Sequence, residues 1–340
     1  MRKPPTSCIG ATATHGDRGG QVPGVREAVA RQHTAVAWTL ASARSLMDRA
    51  SDYGSEGWKF ESSRARMSNK YSVLSKFEPT MLCTDPYPHV VIENALDSDI
   101  ADELRATFPG SNVVHSDESI NNSRWSFGAH KIIGNPHISD IWQAVTAHHT
   151  SAGFWSEVRA AFGSCLERHV SKSRNQASLG ANPRVGVRGA LESTLCDVQL
   201  EAQISGNTPV TKLTSVRGTH LDEGNKIVSG LYYLRSDEDD STGGDFLVQR
   251  WKRWVPRSMY SKLYFEGMND VVETVKRVPY RHNTLVMLVD SINSLHAVSA
   301  RAPTRFTRQF MNLDAVLPEH EYQIPTPNLV TRIRRRISRH

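Results

Sequence analysis

The sequence lacks the features that define several protein classes. It contains four cysteines, and no two of them form a Cys-x-x-Cys pair. This excludes a zinc ribbon and a disulfide framework and favours a reducing, cytoplasmic setting. No uninterrupted apolar run approaches the roughly 20 residues that a membrane-spanning helix needs. No apolar segment typical of a secretory signal follows the first basic residues, and repeats and coiled-coil heptads are missing as well.

The composition is that of a globular protein. The chain has 340 residues, of which 39% are hydrophobic, enough for the core of one large or two ordinary domains. Its formal net charge is +6, but much of the excess lies at the two ends, including the arginine-rich tail at 326–340. Such a tail is typical of a solvated segment, so the charge is weak support for a nucleic-acid partner.

The first 66 residues differ from the rest. They are rich in Arg, Ala, Ser and Gly, and no sustained hydrophobic period emerges. Residues 51–62 can be back-translated into a stem and loop typical of a transfer-RNA gene. We therefore predict that residues 1–66 are disordered or are an extension outside the native protein, with Met67 as the natural start. An organelle transit peptide is the competing interpretation, although acidic residues count against it.

Helical patterns precede strand patterns in the remainder. After a short β-branched strand at 87–92, Ile100, Leu104 and Phe108 recur at helical spacing, and further helices are predicted at 138–149 and 151–170. Strands are predicted at about 197–202, 226–234, 284–289 and 306–313. This order indicates an α+β domain over 67–325, with a helical part at about 95–172 that backs a β core at about 191–315.

Three residues carry the chemistry. His220 and Asp222 are two positions apart, so on an extended backbone they project to the same side. His296 follows a strongly apolar strand and a short turn, a context that suits a third ligand. Two histidines and one carboxylate fill one face of an octahedral ferrous ion and leave three positions open. His282 is a competing third ligand, but it precedes its strand.

Residues 211–313 resemble the iron(II)- and 2-oxoglutarate-dependent oxygenases of the prolyl-hydroxylase-like superfamily. The resemblance rests on five sequence motifs, namely Thr-His-Leu-Asp at 219–222, Gly-Leu-Tyr-Tyr-Leu at 230–234, Gly-Gly-Asp-Phe-Leu at 243–247, Leu-His-Ala-Val at 295–298 and Arg-Phe-Thr at 305–307. The resemblance implies a double-stranded β-helix, or jelly-roll, as the core. It also implies that His220, Asp222 and His296 ligate Fe(II).

The resemblance further implies a co-substrate site. Arg305, nine residues after His296, has the family's spacing for the arginine that pairs with the distal carboxylate of 2-oxoglutarate, where a planar guanidinium binds both oxygens. Arg301 and Arg308 are alternatives nearby. Tyr233 matches a tyrosine that helps to hold the same carboxylate, and Thr307 is placed to donate a hydrogen bond. The alternative for Tyr233 and for Thr307 is that each is an ordinary strand residue.

The function implied is that of a dioxygenase that uses Fe(II), 2-oxoglutarate and O2, with ascorbate as a possible stimulant. It hydroxylates an unactivated C–H bond of a small molecule, amino acid or peptide and releases succinate and CO2. A protein hydroxylase of the prolyl type is the alternative, and a non-catalytic nucleic-acid-binding protein is a second one. No membrane association is predicted, and the sequence makes no prediction of oligomeric state.

Two segments are candidate substrate contacts. Residues 251–257 interleave tryptophans with basic side chains, a pattern that can stack on bases or cover the edge of a core. Residues 121–126, Asn-Asn-Ser-Arg-Trp-Ser, precede the β core, and a capped loop is the alternative interpretation for them.

Overall fold

The computed structural model describes residues 70–114, 116–256 and 271–324. The predicted extension at 1–66 and the basic tail at 326–340 lie outside the described residues, as does Arg257 of the aromatic and basic run. Every helix within the described ranges is too short or too polar to cross a lipid bilayer.

Six α-helices lie in the first half of the described chain. They are α1 (Ser98–Ala106), α2 (Ser111–Val114), α3 (Ala129–Ile132), α4 (Asp140–His149), α5 (Ala152–Phe162) and α6 (Ser164–His169). Short 3-10 turns cover Pro79–Met81, Asn175–Leu179 and Ser193–Leu195.

Ten strands form two sheets. They are β1 (His89–Glu93), β2 (Arg124–Phe127), β3 (Val185–Val187), β4 (Val198–Asn207), β5 (Lys226–Tyr233), β6 (Phe246–Trp251), β7 (Val272–Val278), β8 (Thr284–Val289), β9 (His296–Val298) and β10 (Arg308–Val316). The larger sheet has the order β1-β8-β5-β10-β4-β2, with β3 parallel to β4. The smaller sheet has the order β7-β6-β9.

The two sheets share an apolar core. Alternate residues of β5, β8 and β10 point from the larger sheet towards the smaller one, because successive side chains of a strand project to opposite faces. Tyr233, Val286, Leu288 and Phe310 meet Phe246, Val248 and Val278 there. The site described below lies along this inner face.

A second core covers the other face of the larger sheet. Leu200, Met287 and Met311 point to that side, where they belong to one buried cluster with Trp142 of α4 and Trp155 of α5. Each indole N–H finds a backbone carbonyl, as buried tryptophans require: Trp142 Nε1 donates to Leu104 O at 3.1 Å and Trp155 Nε1 to Ser178 O at 2.8 Å. Helix and sheet residues therefore share one buried cluster.

The predicted strand at 284–289 is confirmed, and the helix predicted over 151–170 is wrong in its length. The segment forms two helices, α5 and α6, separated by Gly163 with φ 43° and ψ −124°. The apolar positions Phe154, Val158, Phe162 and Leu166 are all buried as predicted. The helical spacing of the buried residues therefore continues across the break between the two helices. Gly163 permits this break because glycine lacks a Cβ.

Gly243, in the Gly-Gly pair before β6, has φ +84°, and a Cβ there would lie 1.8 Å from Ala300 O. We expect Gly243→Ala to destabilise the fold by at least about 2 kcal/mol, from the left-handed conformation and the displaced backbone together. Urea unfolding would measure the loss. Gly218→Ala is the matched control, since a Cβ at Gly218 meets nothing within 4 Å. Equal stability of the two variants would contradict this account.

His149 is a fully buried histidine at the end of α4. Its Nε2 accepts from the backbone N–H of Val73 at 3.2 Å, and its Nδ1 lies 2.7 Å from Val145 O. Its ring centroid lies 4.5 Å from that of Phe154. Burial, reinforced by neighbouring His148, lowers the pKa of His149 to about 3. The imidazole is therefore a neutral, hydrogen-bonded member of the helical core.

The depressed pKa of His149 predicts a loss of stability in acid. The unfolded chain binds a proton near pH 6.5 and the folded protein only near pH 3, so stability present above pH 6.5 declines as the pH falls. We expect His149→Gln to flatten the plot of unfolding free energy against pH by about 1.4 kcal/mol per unit between about pH 4 and 6. His137→Gln, at an exposed position, should leave the slope unchanged. An unaltered slope in His149→Gln would refute the prediction.

Candidate metal centre and co-substrate pocket

His220 and His296 face each other across a short backbone bridge. The N–H of His220 donates to His296 O at 3.0 Å, and the N–H of His296 donates to His220 O at 3.2 Å. Their ring centroids are 4.1 Å apart. Phe246 stacks on His296, with centroids 5.3 Å apart and planes 17° apart. The pairing brings together two side chains that are 76 positions apart in the chain.

Backbone carbonyls determine which nitrogen of each ring carries the proton. Nδ1 of His220 lies 2.7 Å from Gly218 O, and Nδ1 of His296 lies 2.9 Å from Ser294 O. A carbonyl oxygen only accepts hydrogen bonds, so each Nδ1 is the protonated nitrogen and each Nε2 carries the lone pair. This is the arrangement that orients metal-binding histidines. Burial also lowers the pKa of both imidazoles, which keeps them neutral.

Asp222 supplies a buried carboxylate beside the two rings. Its Oδ1 lies 3.7 Å from Nε2 of His220 and accepts from Arg217 Nη2 at 3.3 Å. Burial alone raises the pKa of a carboxyl group, but the positive charge of Lys226, together with that of Arg217, outweighs it. The pKa of Asp222 is held well below its usual value. The group is therefore anionic at neutral pH.

A polar chain behind Asp222 holds its other oxygen. Ser229 Oγ lies 3.0 Å from Asp222 Oδ2 and 2.6 Å from Asp290 Oδ2. Burial, followed by the negative charge of Asp222, raises the pKa of Asp290 well above its usual value. Protonated Asp290 therefore donates to Ser229, and Ser229 donates to Asp222. Lys226 Nζ lies between Asp222 Oδ2 at 3.4 Å and Asp314 Oδ1 at 2.9 Å.

The donor set fits a divalent ion of the first transition row. One ligand atom from each of His220, Asp222 and His296 lies within 4.8 Å of the others, and all three residues are buried. Two neutral imidazoles and one carboxylate suit Fe(II) with open positions for other ligands. His282 is not part of this group, because its Nε2 contacts Asp102 Oδ1 of α1 at 3.0 Å.

The three residues line a cavity between the two sheets. Its walls include apolar side chains from both, among them Phe246, Val286, Leu288 and Phe310. Basic side chains also line it, namely Arg124, Arg217, Lys226 and Arg308, whereas Asp222 is the acidic residue in the lining. The cavity thus combines apolar side chains with an excess of positive charge.

The structure places Arg308, and not Arg305, in this cavity. Arg305 is exposed in the connection between β9 and β10, where its guanidinium lies over the Phe306 ring. Arg308 begins β10 and is 1% exposed. Thr307 is half-buried and does not line the cavity. The difference arises because the connection bends before β10 begins, so the first inward-facing position of the strand is Arg308.

Arg308 is a buried cation whose hydrogen-bond partners are neutral. Its Nη1 donates to Asn207 Oδ1 at 3.2 Å and its Nη2 to Tyr233 Oη at 3.0 Å. The rings of Tyr233, Tyr280 and Phe310 surround the guanidinium, with centroids 4.9 to 5.2 Å away. No carboxylate of the described residues forms a salt bridge with it. A buried charge without a counter-ion is costly, so this environment favours an anionic ligand.

Tyr233 is buried next to Arg308. Burial raises the pKa of its phenol to about 12, so the hydroxyl keeps its proton. Since the phenol oxygen accepts from Arg308, its hydrogen remains for an acceptor such as a carboxylate. Tyr233 is thus placed to donate a hydrogen bond to the same anionic ligand that Arg308 favours.

Strand periodicity is the signal that could have favoured Arg308. In β10, Arg308, Phe310 and Asn312 alternate with residues of the opposite face, and all three line the cavity. Lys226, Ser229 and Asp290 were missed altogether. They contact the metal-ligand carboxylate directly or through one hydroxyl, and a spacing of four or seven residues from Asp222 does not by itself signal such contacts.

No protein-family model matches the chain, and no curated protein does. Solved structures to which the chain is similar include a prolyl-4-hydroxylase from Pseudomonas putida (11% identity, 70% of this chain and 98% of that one, TM-score 0.39). They include an oxidoreductase of the 2OG-Fe(II) oxygenase family from Burkholderia pseudomallei (12%, 78% and 97%, 0.36). The non-heme alpha ketoglutarate dependent epimerase SnoN from nogalamycin biosynthesis is a third (12%, 67% and 76%, 0.36). Likeness at this level assigns no activity.

Proposed function

We propose that this protein is an Fe(II)- and 2-oxoglutarate-dependent dioxygenase that hydroxylates an unactivated C–H bond of a small molecule, amino acid or peptide. The observation that carries the proposal is the convergence of His220, Asp222 and His296 within 4.8 Å in a cavity between two sheets. The oxygenase domain extends over about 67–325, and its paired sheets constitute a double-stranded β-helix core.

The proposed roles follow from the contacts of each side chain. His220 and His296 offer their Nε2 lone pairs to the metal, because Nδ1 of each ring is bonded to a carbonyl. Asp222 adds a negative charge that offsets part of the ion's charge. Ser229 and Lys226 hold that carboxylate in place. When bound, iron and 2-oxoglutarate supply the oxidising chemistry, in which O2 is reduced, succinate and CO2 are released and one oxygen atom enters the substrate.

Arg308 is our candidate for the residue that binds the distal carboxylate of 2-oxoglutarate, in place of Arg305. Its guanidinium is buried without a carboxylate partner among the described residues, and Tyr233 adds a hydroxyl beside it. A charged fork and a neutral phenol together suit a carboxylate. Phe246, Val286 and Leu288 contribute apolar side chains to the lining of the same cavity.

Turnover of the co-substrate tests the proposal. Metal-free protein is supplied with Fe(II), 2-oxoglutarate and ascorbate in air, and succinate is measured by mass spectrometry. We expect succinate to form only when protein, Fe(II), O2 and 2-oxoglutarate are all present. Zn(II) should suppress the reaction, because it competes for the same ligands and has no redox chemistry. Protein that binds neither Fe(II) nor 2-oxoglutarate would contradict the assignment.

A further inference from the structure

Three polar side chains form a row across neighbouring strands of the larger sheet. Arg124 of β2 lies opposite Asn207 of β4, and Asn207 lies opposite Arg308 of β10. Residues directly opposite each other in antiparallel strands have adjacent side chains. All three line the cavity that holds the candidate metal ligands. Two guanidinium groups therefore flank one amide on the inner face of the sheet.

The middle residue of the row has an unused donor. Asn207 is fully buried, and its Oδ1 accepts from Arg308 at 3.2 Å. Its Nδ2 has no hydrogen-bond partner among the described residues. A buried donor without an acceptor is destabilising. An acceptor oxygen in the cavity beside Asn207 would remove that penalty.

Arg124 has only neutral partners among the described residues. Its Nη2 donates to Asn312 Oδ1 at 3.0 Å, and its guanidinium lies 5.5 Å from the centre of the Phe310 ring. Arg124 is exposed as a residue, yet burial of its charged group by the surrounding protein lowers its pKa. Asp314 and Asp222 oppose the shift, whereas Arg217 and Arg308 reinforce it. No carboxylate of the described residues forms an ion pair with this cation.

Arg124 forms no ion pair with any of the described residues, whereas other charged side chains that line the cavity do. Lys226 is paired with Asp314 at 2.9 Å and with Asp222 at 3.4 Å. Arg217 contacts Asp222 at 3.3 Å. In the proposed function Arg308 is matched by the distal carboxylate of 2-oxoglutarate. Among the described residues of the lining, Arg124 is then the cation that forms no ion pair.

We propose that Arg124 and the Asn207 amide form a second anion subsite, which binds a carboxylate or phosphate group of the substrate. The inference rests on the proposed function in one respect, namely that 2-oxoglutarate occupies Arg308. A fork of guanidinium donors and one amide donor matches two oxygens of a planar or tetrahedral anion. The substrate is therefore a small anionic molecule that binds through this group beside the metal ligands.

Calorimetric titration of the full chain, loaded anaerobically with Mn(II) and saturated with 2-oxoglutarate, tests the subsite. The probes are sodium acetate, inorganic phosphate and, as a neutral match for acetate, acetamide, all at constant ionic strength. We expect acetate or phosphate to bind at least tenfold more tightly than acetamide, and the tighter of the two anions identifies the group. Arg124→Gln should weaken the anion about tenfold or more, whereas Arg124→Lys should retain part of the affinity.

Arg184→Gln is the control for loss of one positive charge, because Arg184 pairs with Asp197 at an exposed position away from the cavity. It should leave anion binding unchanged. Equal binding of acetamide and both anions would overturn the subsite. The subsite would also be overturned if Arg124→Gln weakened the binding of 2-oxoglutarate as strongly as Arg308→Gln does. Arg124 would then belong to the co-substrate site.

The proposed function and the subsite fail in different ways. If neither Mn(II) nor 2-oxoglutarate binds, the proposed function fails, and phosphate titration of metal-free Arg308→Gln protein still measures the subsite. Loss of phosphate binding when Arg124→Gln is combined with Arg308→Gln would support the subsite. Unchanged phosphate binding in the double variant would overturn the subsite. If both cofactors bind and no anion follows, only the subsite fails.

Discussion

Replacing His220 with alanine is expected to lower the affinity for Fe(II) by more than about 100-fold and to eliminate succinate release from 2-oxoglutarate. Loss of a residue that merely supports a metal ligand costs 10- to 100-fold in affinity or activity, so loss of a ligand should cost more. His220 offers a neutral Nε2 beside Asp222 and His296. Titration of the metal-free protein with Fe(II) under nitrogen, followed by a succinate assay in air, measures both effects.

His282→Ala is the matched control for this substitution. His282 is the other histidine that the sequence offered as a third ligand, and it contacts Asp102 outside the metal group. Its replacement should leave the Fe(II) affinity and the succinate yield within about twofold of the wild type. If His282→Ala removes iron binding and His220→Ala does not, the metal centre has been placed at the wrong residues. Thermal unfolding of both variants separates loss of metal from loss of fold.

Replacing Arg308 with glutamine is expected to weaken 2-oxoglutarate binding by about 100-fold while Fe(II) binding persists. Removal of one partner from a buried, charge-assisted pair costs about 2–5 kcal/mol, and each 1.4 kcal/mol corresponds to tenfold in affinity. Arg308 is 1% exposed, and its guanidinium donates a hydrogen bond to the Tyr233 hydroxyl. The dissociation constant of 2-oxoglutarate from the Mn(II)-loaded protein measures the effect without turnover.

Arg305→Gln distinguishes the two arginines. Arg305 has the spacing from His296 that the resemblance implied, but its side chain is exposed. We expect its replacement to change the dissociation constant of 2-oxoglutarate by less than about threefold, as is usual for an exposed charge that the ligand does not contact. A large loss in Arg305→Gln together with a small loss in Arg308→Gln would reverse the assignment of the co-substrate residue.

Much of the fold was predictable from local patterns. Runs of β-branched and apolar residues predicted the strand at 284–289 with its observed bounds, because a strand buried on both faces needs apolar side chains at every position. The predicted helix over 151–170 failed only where Gly163 allowed a turn with positive φ. Periodicity reports which face is buried, and it is insensitive to a break that preserves the face.

The residues that contact Asp222, by contrast, were not predictable from local sequence patterns. Ser229 and Asp290 lie on or beside strands whose pairing brings them to Asp222. A serine in β5 and an aspartate after β8 are ordinary residues until the register of those two strands is known. The protonated state of Asp290 depends on burial and on the charge of Asp222, which are both properties of the folded protein.

The sequence by itself determined the chemistry on offer: two histidines and a carboxylate in an order that suits one metal ion, and arginines close after the last of them. Only the tertiary structure decided which arginine faces that site. The chain bends between β9 and β10, and the pairing of β10 with β4 and β5 turns Arg308 towards Asn207 and Tyr233. Residue spacing measures distance along the chain, whereas strand register determines which side chains point into a shared cavity.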